Sequence, residues 1–194
     1  VLAARGMPPL HLLVVFVIGA FVMRSAGVVL NDLADRSFDR HVTRTRVRPL
    51  ASGELNVTHA LMVVGFFLLL AAILVLSLDP FTILLSPIAI LLAALYPFAK
   101  RVIHIPQAIL GIAFGWGTIM AWTASRGAIE APAWCLFAAT ICWAIGYDTI
   151  YALQDREDDR RIGVKSSALL FGSSTWIAVG TVFCAMLFLL GLAG

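Results

Sequence analysis

Charge is scarce in this sequence: Asp, Glu, Lys and Arg make up 13% of its 194 residues against 61% hydrophobic ones, and the mean hydropathy is +0.96. So few polar residues cannot cover a soluble surface of that size, which excludes a soluble domain and leaves an integral membrane protein in contact with the lipid bilayer. Strict apolar/polar alternation is missing too, and without it a transmembrane barrel is excluded and the apolar runs are read as helices. Cysteine is nearly absent. Cys135, Cys142 and Cys184 fall inside apolar runs without metal-ligand spacing and read as buried small hydrophobes. Along the chain the basic residues are interleaved with acids and lie against a bilayer, so no nucleic-acid partner is expected.

What is present is a series of runs about 20 residues long, the length that crosses a hydrocarbon core. Six are found, at roughly 10–30, 58–78, 81–98, 106–124, 131–153 and 173–194, which makes the fold class all-α, a polytopic transmembrane helix bundle. Pro87 predicts a kink in the third run, and Gly111 and Gly115 give the fourth the spacing of closely packed helices. Asn56 matches a glycosylation sequon but reads more simply as a helix start.

Eleven of the fourteen basic residues lie in alternate connections, at 36–48, 100–101 and 156–165. The positive-inside rule makes those connections cytoplasmic. The opposite connections, near Asp79 and from Ser125 to Glu130, are short and nearly uncharged. Arg24 is the one charge within the first run. An intramembrane arginine either snorkels to the interface or pairs with an acid, here an acidic ligand or Asp35.

The acids are concentrated at two cytoplasmic helix ends. If the first helix continues, Asn31, Asp35 and Asp39 fall at i, i+4 and i+8 with Asp32 beside them, an oxygen-rich stripe on the face that also carries Arg24. The second stripe is Asp148, Tyr151, Asp155 and Asp159, at spacings of three, four and four. Each is followed by a basic stretch, Arg40 to Gly53 and Arg160 to Ser167, so the same layout occurs twice, about 120 residues apart. Stripes of like charge are unfavourable alone and imply cations nearby, arginine or divalent metal.

Carboxylates with an Asn and without His or Cys are hard oxygen donors, suited to Mg²⁺ rather than to Zn²⁺ or copper. Mg²⁺ is commonly shared between a few carboxylates and phosphate oxygens, and the following Arg and Lys residues would complete a diphosphate clamp. Within a membrane protein that suggests a lipid diphosphate, whose allylic C–O bond ionises once charge on the leaving group is neutralised. The cation so formed needs protection from water and aromatic faces, and Tyr96, Tyr147 and Tyr151 all stand at cytoplasmic helix ends.

Four linked motifs carry a family resemblance: Asn31-Asp32-x-x-Asp35-x-x-x-Asp39, Arg48-Pro49-Leu50-x-Ser52-Gly53, Tyr96-Pro97-Phe98-x-Lys100-Arg101, and Tyr147-Asp148-Thr149-x-Tyr151-Ala152-x-x-Asp155-x-x-x-Asp159 followed by Gly163-x-Lys165-Ser166. In order and spacing they resemble the UbiA superfamily of intramembrane prenyltransferases, most of all its members acting on 4-hydroxybenzoate. The resemblance implies about nine spans in the intact fold, with residues 1–194 a single prenyltransferase domain that lacks the first helix and the last two or three. A missing first helix would start this chain on the outer side.

The resemblance also implies Mg²⁺-dependent transfer of a polyprenyl group from polyprenyl diphosphate to the carbon ortho to the hydroxyl of 4-hydroxybenzoate, in ubiquinone synthesis. The expected setting is a bacterial inner membrane with the active site on the cytoplasmic side. Asn31, Asp35, Asp39, Asp155 and Asp159 would hold Mg²⁺ and diphosphate, and Lys100 and Arg48 would contact the diphosphate. Tyr96 would orient that lysine or shield the cation, and Arg24 would meet the acceptor carboxylate. Asp32, Tyr147, Asp148, Tyr151 and Lys165 complete the expected substrate contacts. Another aromatic acceptor, or in a different class a transporter or cation channel, remains compatible with paired intramembrane acids.

Overall fold

The helix that begins behind Pro8 and Pro9 does not stop where its apolar run ends but continues to Asp39 (α1, Leu10–Asp39). Its 30 residues reach about 45 Å, well beyond a hydrocarbon core of about 30 Å, so the acid-bearing turns extend past the apolar stretch. The structure is a computed structural model that describes residues 1–163 and 165–194, the side chains of Lys100, Arg101 and Ile162 excepted. Among the described residues every regular element is helical.

A one-turn helix (α2, Pro49–Ser52) follows, with Pro49 at its first position and Gly53 closing it at φ 88, a left-handed conformation that favours glycine. Helix α3 (Val57–Val75) starts where Asn56 accepts the His59 N–H at 2.8 Å, so the sequon asparagine is a helix cap as predicted. Then come α4 (Pro80–Val102), which runs through both Pro87 and Pro97, α5 (Pro106–Arg126) and α6 (Ala131–Ala152). A short α7 (Arg156–Ile162) and α8 (Ser167–Phe171) lead through a 3₁₀ turn at Gly172–Ser174 into α9 (Thr175–Ala193).

Among the described residues six segments are long and apolar enough to cross a membrane, in the order and number the hydropathy predicts. The chain is a multi-pass membrane protein. Its main packing partners form an arc: α3 lies on α1, α1 on α4 and α5, α4 on α5, α5 on α6, and α6 on α9.

The second acidic stripe is not a continuous helix face, contrary to the predicted spacing. Helix α6 ends at Ala152, where Leu153 and Gln154 donate to Ile150 and Tyr151 three residues back, a tightening that stops the α-helical ladder. Asp155 then occupies the N-cap position of α7, and Glu157, Asp158 and Asp159 fill its first turn, where acids are favoured by the exposed N–H groups.

Close backbone approach explains the glycines. A methyl group at Gly111 would stand 2.7 Å from the Ile141 Cα and one at Gly115 would stand 2.8 Å from the Phe137 ring, so α5 meets α6 along small residues. On its other side α6 admits the Phe183 ring of α9 against Gly146. Polar ties add direction: the Trp116 indole donates to the Leu85 carbonyl at 3.0 Å, and the Thr82 hydroxyl bonds that of Thr123 at 3.0 Å, both joining α4 to α5. Thr149 and Ser167 hydroxyls, 2.7 Å apart and buried, join α6 to α8.

At the opposite end from the acids, Asp79 caps α4, accepting from the N–H groups of Phe81 and Thr82 at 3.0 and 3.1 Å and from the Thr82 hydroxyl at 2.6 Å. Burial alone pushes this carboxyl up, but those hydrogen bonds outweigh it and hold Asp79 below the ordinary carboxylate range.

Gly111→Val is expected to lower stability in detergent by about 1–3 kcal/mol, because overpacking forces α5 from α6. Gly117→Ala, whose new methyl would meet nothing within 4 Å, should leave the thermal midpoint unchanged or slightly raised. Asp79→Ala should cost about 1 kcal/mol as a lost helix cap. Since the folded carboxyl titrates below its unfolded value, that contribution is present above the unfolded pKa and fades as pH falls through the folded one; the difference in midpoint between wild type and variant should therefore shrink on acidification.

Candidate active site

The site is built at the end of α1. Asp35 is completely buried and Asp39 nearly so, with Asn31 and Asp32 half-buried beside them. The chain turns back at once, and its arginines hold that turn. Arg36 Nε donates to the Leu50 carbonyl and Arg40 Nε to that of Ala51, each at 3.1 Å, which presses α2 against α1. The Thr45 hydroxyl donates to the Asp39 carbonyl at 3.2 Å. Arg48, at the start of α2, then reaches between two acids of the stripe: its Nη1 lies 2.7 Å from Asp32 Oδ1 and 3.0 Å from Asp39 Oδ2. The cation that the stripe demanded is thus built into the same loop.

The same loop reaches the second acidic segment. Arg44 meets Asp155 with two parallel bonds, Nε to Oδ1 at 2.9 Å and Nη2 to Oδ2 at 2.5 Å, and the Thr43 N–H donates to Asp158 Oδ2 at 3.0 Å. The hydrogen bond to Asp155 raises the Arg44 pKa above its ordinary value. Segments 111 residues apart in the chain are therefore joined by one guanidinium.

Tyr96, on the last third of α4, lies among the charges of Asp148, Asp35, Arg24 and Arg48, so residues from α1, α2, α4 and α6 converge around it. On α6, Trp143, Tyr147 and Tyr151 form a ladder at intervals of four residues. Trp143 stacks on Tyr147 with ring centres 5.1 Å apart and planes within 15°, and Tyr147 leans on Tyr151 at 5.2 Å. Phe114 of α5 adjoins Trp143 at 6.5 Å, and the Arg24 guanidinium sits over the Phe114 ring, 5.5 Å from its centre. A row of aromatic rings thus runs along α6 past Asp148 toward the second acidic segment.

Not every expected residue joins this group in the same way. Lys165 donates to the Val102 carbonyl at 2.8 Å and so ties the α7–α8 connection to the end of α4. With His104, Asp159, Arg160 and Ser166 it borders a cleft of about 300 Å³. The Lys100 side chain lies outside the described residues. Among the described residues no three His, Cys, Asp or Glu are grouped closely enough to hold a metal ion by themselves. Arg44, Phe114 and Trp143 were not among the expected site residues. The regular spacing of Trp143, Tyr147 and Tyr151 is the sequence signal for the ladder, whereas Phe114 has none.

Comparison with known proteins agrees with this arrangement. A model of the UbiA prenyltransferase family matches residues 1–194. The chain is 50% identical over 181 residues to the 4-hydroxybenzoate octaprenyltransferase of Photobacterium profundum, covering 93% of this chain and 63% of that protein. Its identity to the protein of the same name from Pseudomonas aeruginosa is 47%, covering 100% of this chain and 65% of the relative. The chain thus spans less than two thirds of the length of these curated relatives. Among solved structures, the apo form of a UbiA homolog from Aeropyrum pernix K1 matches with a TM-score of 0.85 at 28% identity, over 97% of this chain and 72% of that one. A UbiA homolog from Archaeoglobus fulgidus bound to GPP and Mg²⁺ shares the fold, with a TM-score of 0.71 at 19% identity over 99% of this chain and 70% of the other. With a family match along its whole length, relatives near half identity and the same arrangement of helices, this chain belongs to the UbiA prenyltransferase family.

Proposed function

We propose that the protein is a Mg²⁺-dependent aromatic prenyltransferase, which transfers a polyprenyl group from polyprenyl diphosphate to the ring carbon ortho to the hydroxyl of 4-hydroxybenzoate, in ubiquinone biosynthesis. The observation that carries this reading is the meeting of two acidic segments, through Arg44 and around Tyr96, beside a row of aromatic rings. The names of the bacterial relatives, 4-hydroxybenzoate octaprenyltransferases, support the acceptor and a long prenyl donor. The eleven basic residues of the site-side connections support a cytoplasmic orientation, which in a bacterium is that of an inner-membrane protein.

The donor set fits Mg²⁺. All the acids offer oxygen, and a set too dispersed to cage a metal alone suits an ion that arrives with phosphate oxygens as further ligands. Asn31, Asp35, Asp39, Asp155 and Asp159 would hold it, and once bound it supplies neutralisation of the charge that develops on the departing diphosphate. Arg44 and Arg48 already stand between the acids and present guanidinium donors in the fork geometry that phosphate accepts. Tyr96, which feels the charges of Asp35 and Asp148, would stand beside the allylic C–O bond as it breaks and leaves its electron pair on the diphosphate. Trp143, Tyr147 and Tyr151 would offer the allylic cation their ring faces. Attack by the ring carbon beside the phenol forms the new C–C bond, and loss of the ring proton restores aromaticity.

The test is product formation by the intact protein in liposomes supplied with Mg²⁺, a polyprenyl diphosphate and 4-hydroxybenzoate. Asp35→Asn and Asp155→Asn should each lower the rate about 100-fold or more, and chelation should abolish it until Mg²⁺ is restored. Wild-type rates in both variants would overturn the mechanism. Cation flux without prenylated product would replace the enzyme with a transporter.

A further inference from the structure

The cleft beside Lys165, between the end of α4 and the α7–α8 connection, is not used by the reaction assigned above, and helix packing sets it apart from the aromatic row. Trp143, Tyr147 and Tyr151 recur every four residues and so share one face of α6. Thr149, two residues after Tyr147, lies about 200° around the helix, and Thr149 is the residue that bonds Ser167 and seats α8. Helix α8, whose Leu170 borders the cleft, therefore packs on the face of α6 turned away from those rings.

The spans around the cleft set its depth. One apolar span ends at Ala99 and another begins at Ser167, so His104, Lys165 and Ser166 stand just beyond both, at the level of lipid headgroups. Close by, Val102 and Leu170 keep 70% and 50% of their surface exposed. Basic residues at the end of spanning helices, next to exposed apolar side chains, form the setting in which anionic headgroups are held.

Donors for a phosphate are in place. Lys165 Nζ donates one N–H to the Val102 carbonyl at 2.8 Å and keeps two. Arg160 meets Glu157 of its own helix at 3.5 Å, in an exposed pair that leaves guanidinium donors over. Ser166 borders the cleft with 5% of its surface exposed, and its buried hydroxyl has no hydrogen-bond partner among the described residues. Such a hydroxyl is unfavourable until a ligand completes it. Asp159 borders the cleft too, one carboxylate against two permanent cations, and through it the cleft adjoins the second acidic segment.

We propose that this cleft binds the phosphate headgroup of an anionic phospholipid, with the acyl chains along Val102 and Leu170, at a site distinct from that of the prenyl diphosphate. Lys165 then serves this lipid rather than the substrate. Free phosphate and the substrate diphosphate offer the same oxygens; the exposed apolar border is what favours the phospholipid.

Native mass spectrometry of the intact protein in detergent, titrated with phosphatidylglycerol or with zwitterionic phosphatidylcholine, tests it. Phosphatidylglycerol should bind about fivefold more tightly or better, the factor expected from one basic residue at a membrane surface. His104→Glu, which puts a negative charge on an exposed residue of the cleft, should weaken phosphatidylglycerol about fivefold and leave phosphatidylcholine unchanged. Ser166→Ala should weaken it about tenfold, the usual effect of losing a hydrogen bond to a charged group, at a lipid-free thermal midpoint that is unchanged or raised. Mg²⁺ with inorganic pyrophosphate should not displace the lipid. Equal affinity for the two lipids, or wild-type affinity for phosphatidylglycerol in either variant, would overturn the proposal. Displacement of phosphatidylglycerol by magnesium pyrophosphate would overturn it as well and return the cleft to the substrate diphosphate.

Discussion

Carboxylates gathered at one end of a helical bundle repel one another, and the whole site depends on how that repulsion is relieved. The answer in this chain is a pair of arginines on one short connection. Arg48 stands between Asp32 and Asp39 of the first acidic segment, and Arg44 grips Asp155 of the second. An exposed ion pair of the latter kind contributes only about 0.2–1 kcal/mol, too little to hold two halves of a membrane protein together. Its importance is geometric: a planar fork meeting both carboxylate oxygens fixes the distance and tilt between segments that the helices alone leave apart.

Cohesion comes from elsewhere. The apolar faces toward lipid gain little by association, so contact among the helices rests on close backbone approach at Gly111, Gly115 and Gly146 and on a few buried hydroxyl pairs. Polar capping by Asp79 and the Thr82–Thr123 bond secure the end opposite the acids. The two ends are thus built by different means. One is neutral, tightly capped and structural, while the other is charged and assembled through side chains that could also bind an anion.

Much of this was legible in the residues. Six spans follow from run length and composition, and the continuation of α1 through Asn31, Asp35 and Asp39 follows from their spacing of four. Charge distribution alone indicated that both acidic segments share a side. The break between α6 and α7 was less accessible, because a periodic pattern does not reveal where a ladder switches from four-residue to three-residue bonds. A closer reading of Asp155-Arg156-Glu157-Asp158-Asp159 as the acidic first turn of a new helix would have located it. Phe114 and Trp143 were illegible for another reason: an aromatic residue in a span is equally compatible with lipid, a neighbouring helix or a cavity until the packing partner is known. Lys165 shows the same limit, since nothing in its neighbourhood in the sequence points to the Val102 carbonyl that it meets.

The glycine contacts of α6 have a rotational consequence. Phe137, Ile141 and Ala144 face α5, and Gly146 faces α9, so the helix is gripped on two sides and its turn about its own axis is fixed. Trp143, Tyr147 and Tyr151 occupy the sector between those grips. A slip of one residue would turn the helix by about 100° and swing the rings into a neighbour or away from the guanidinium. Side chains too small to contact any ligand therefore act as the keyway that sets where the aromatic row points.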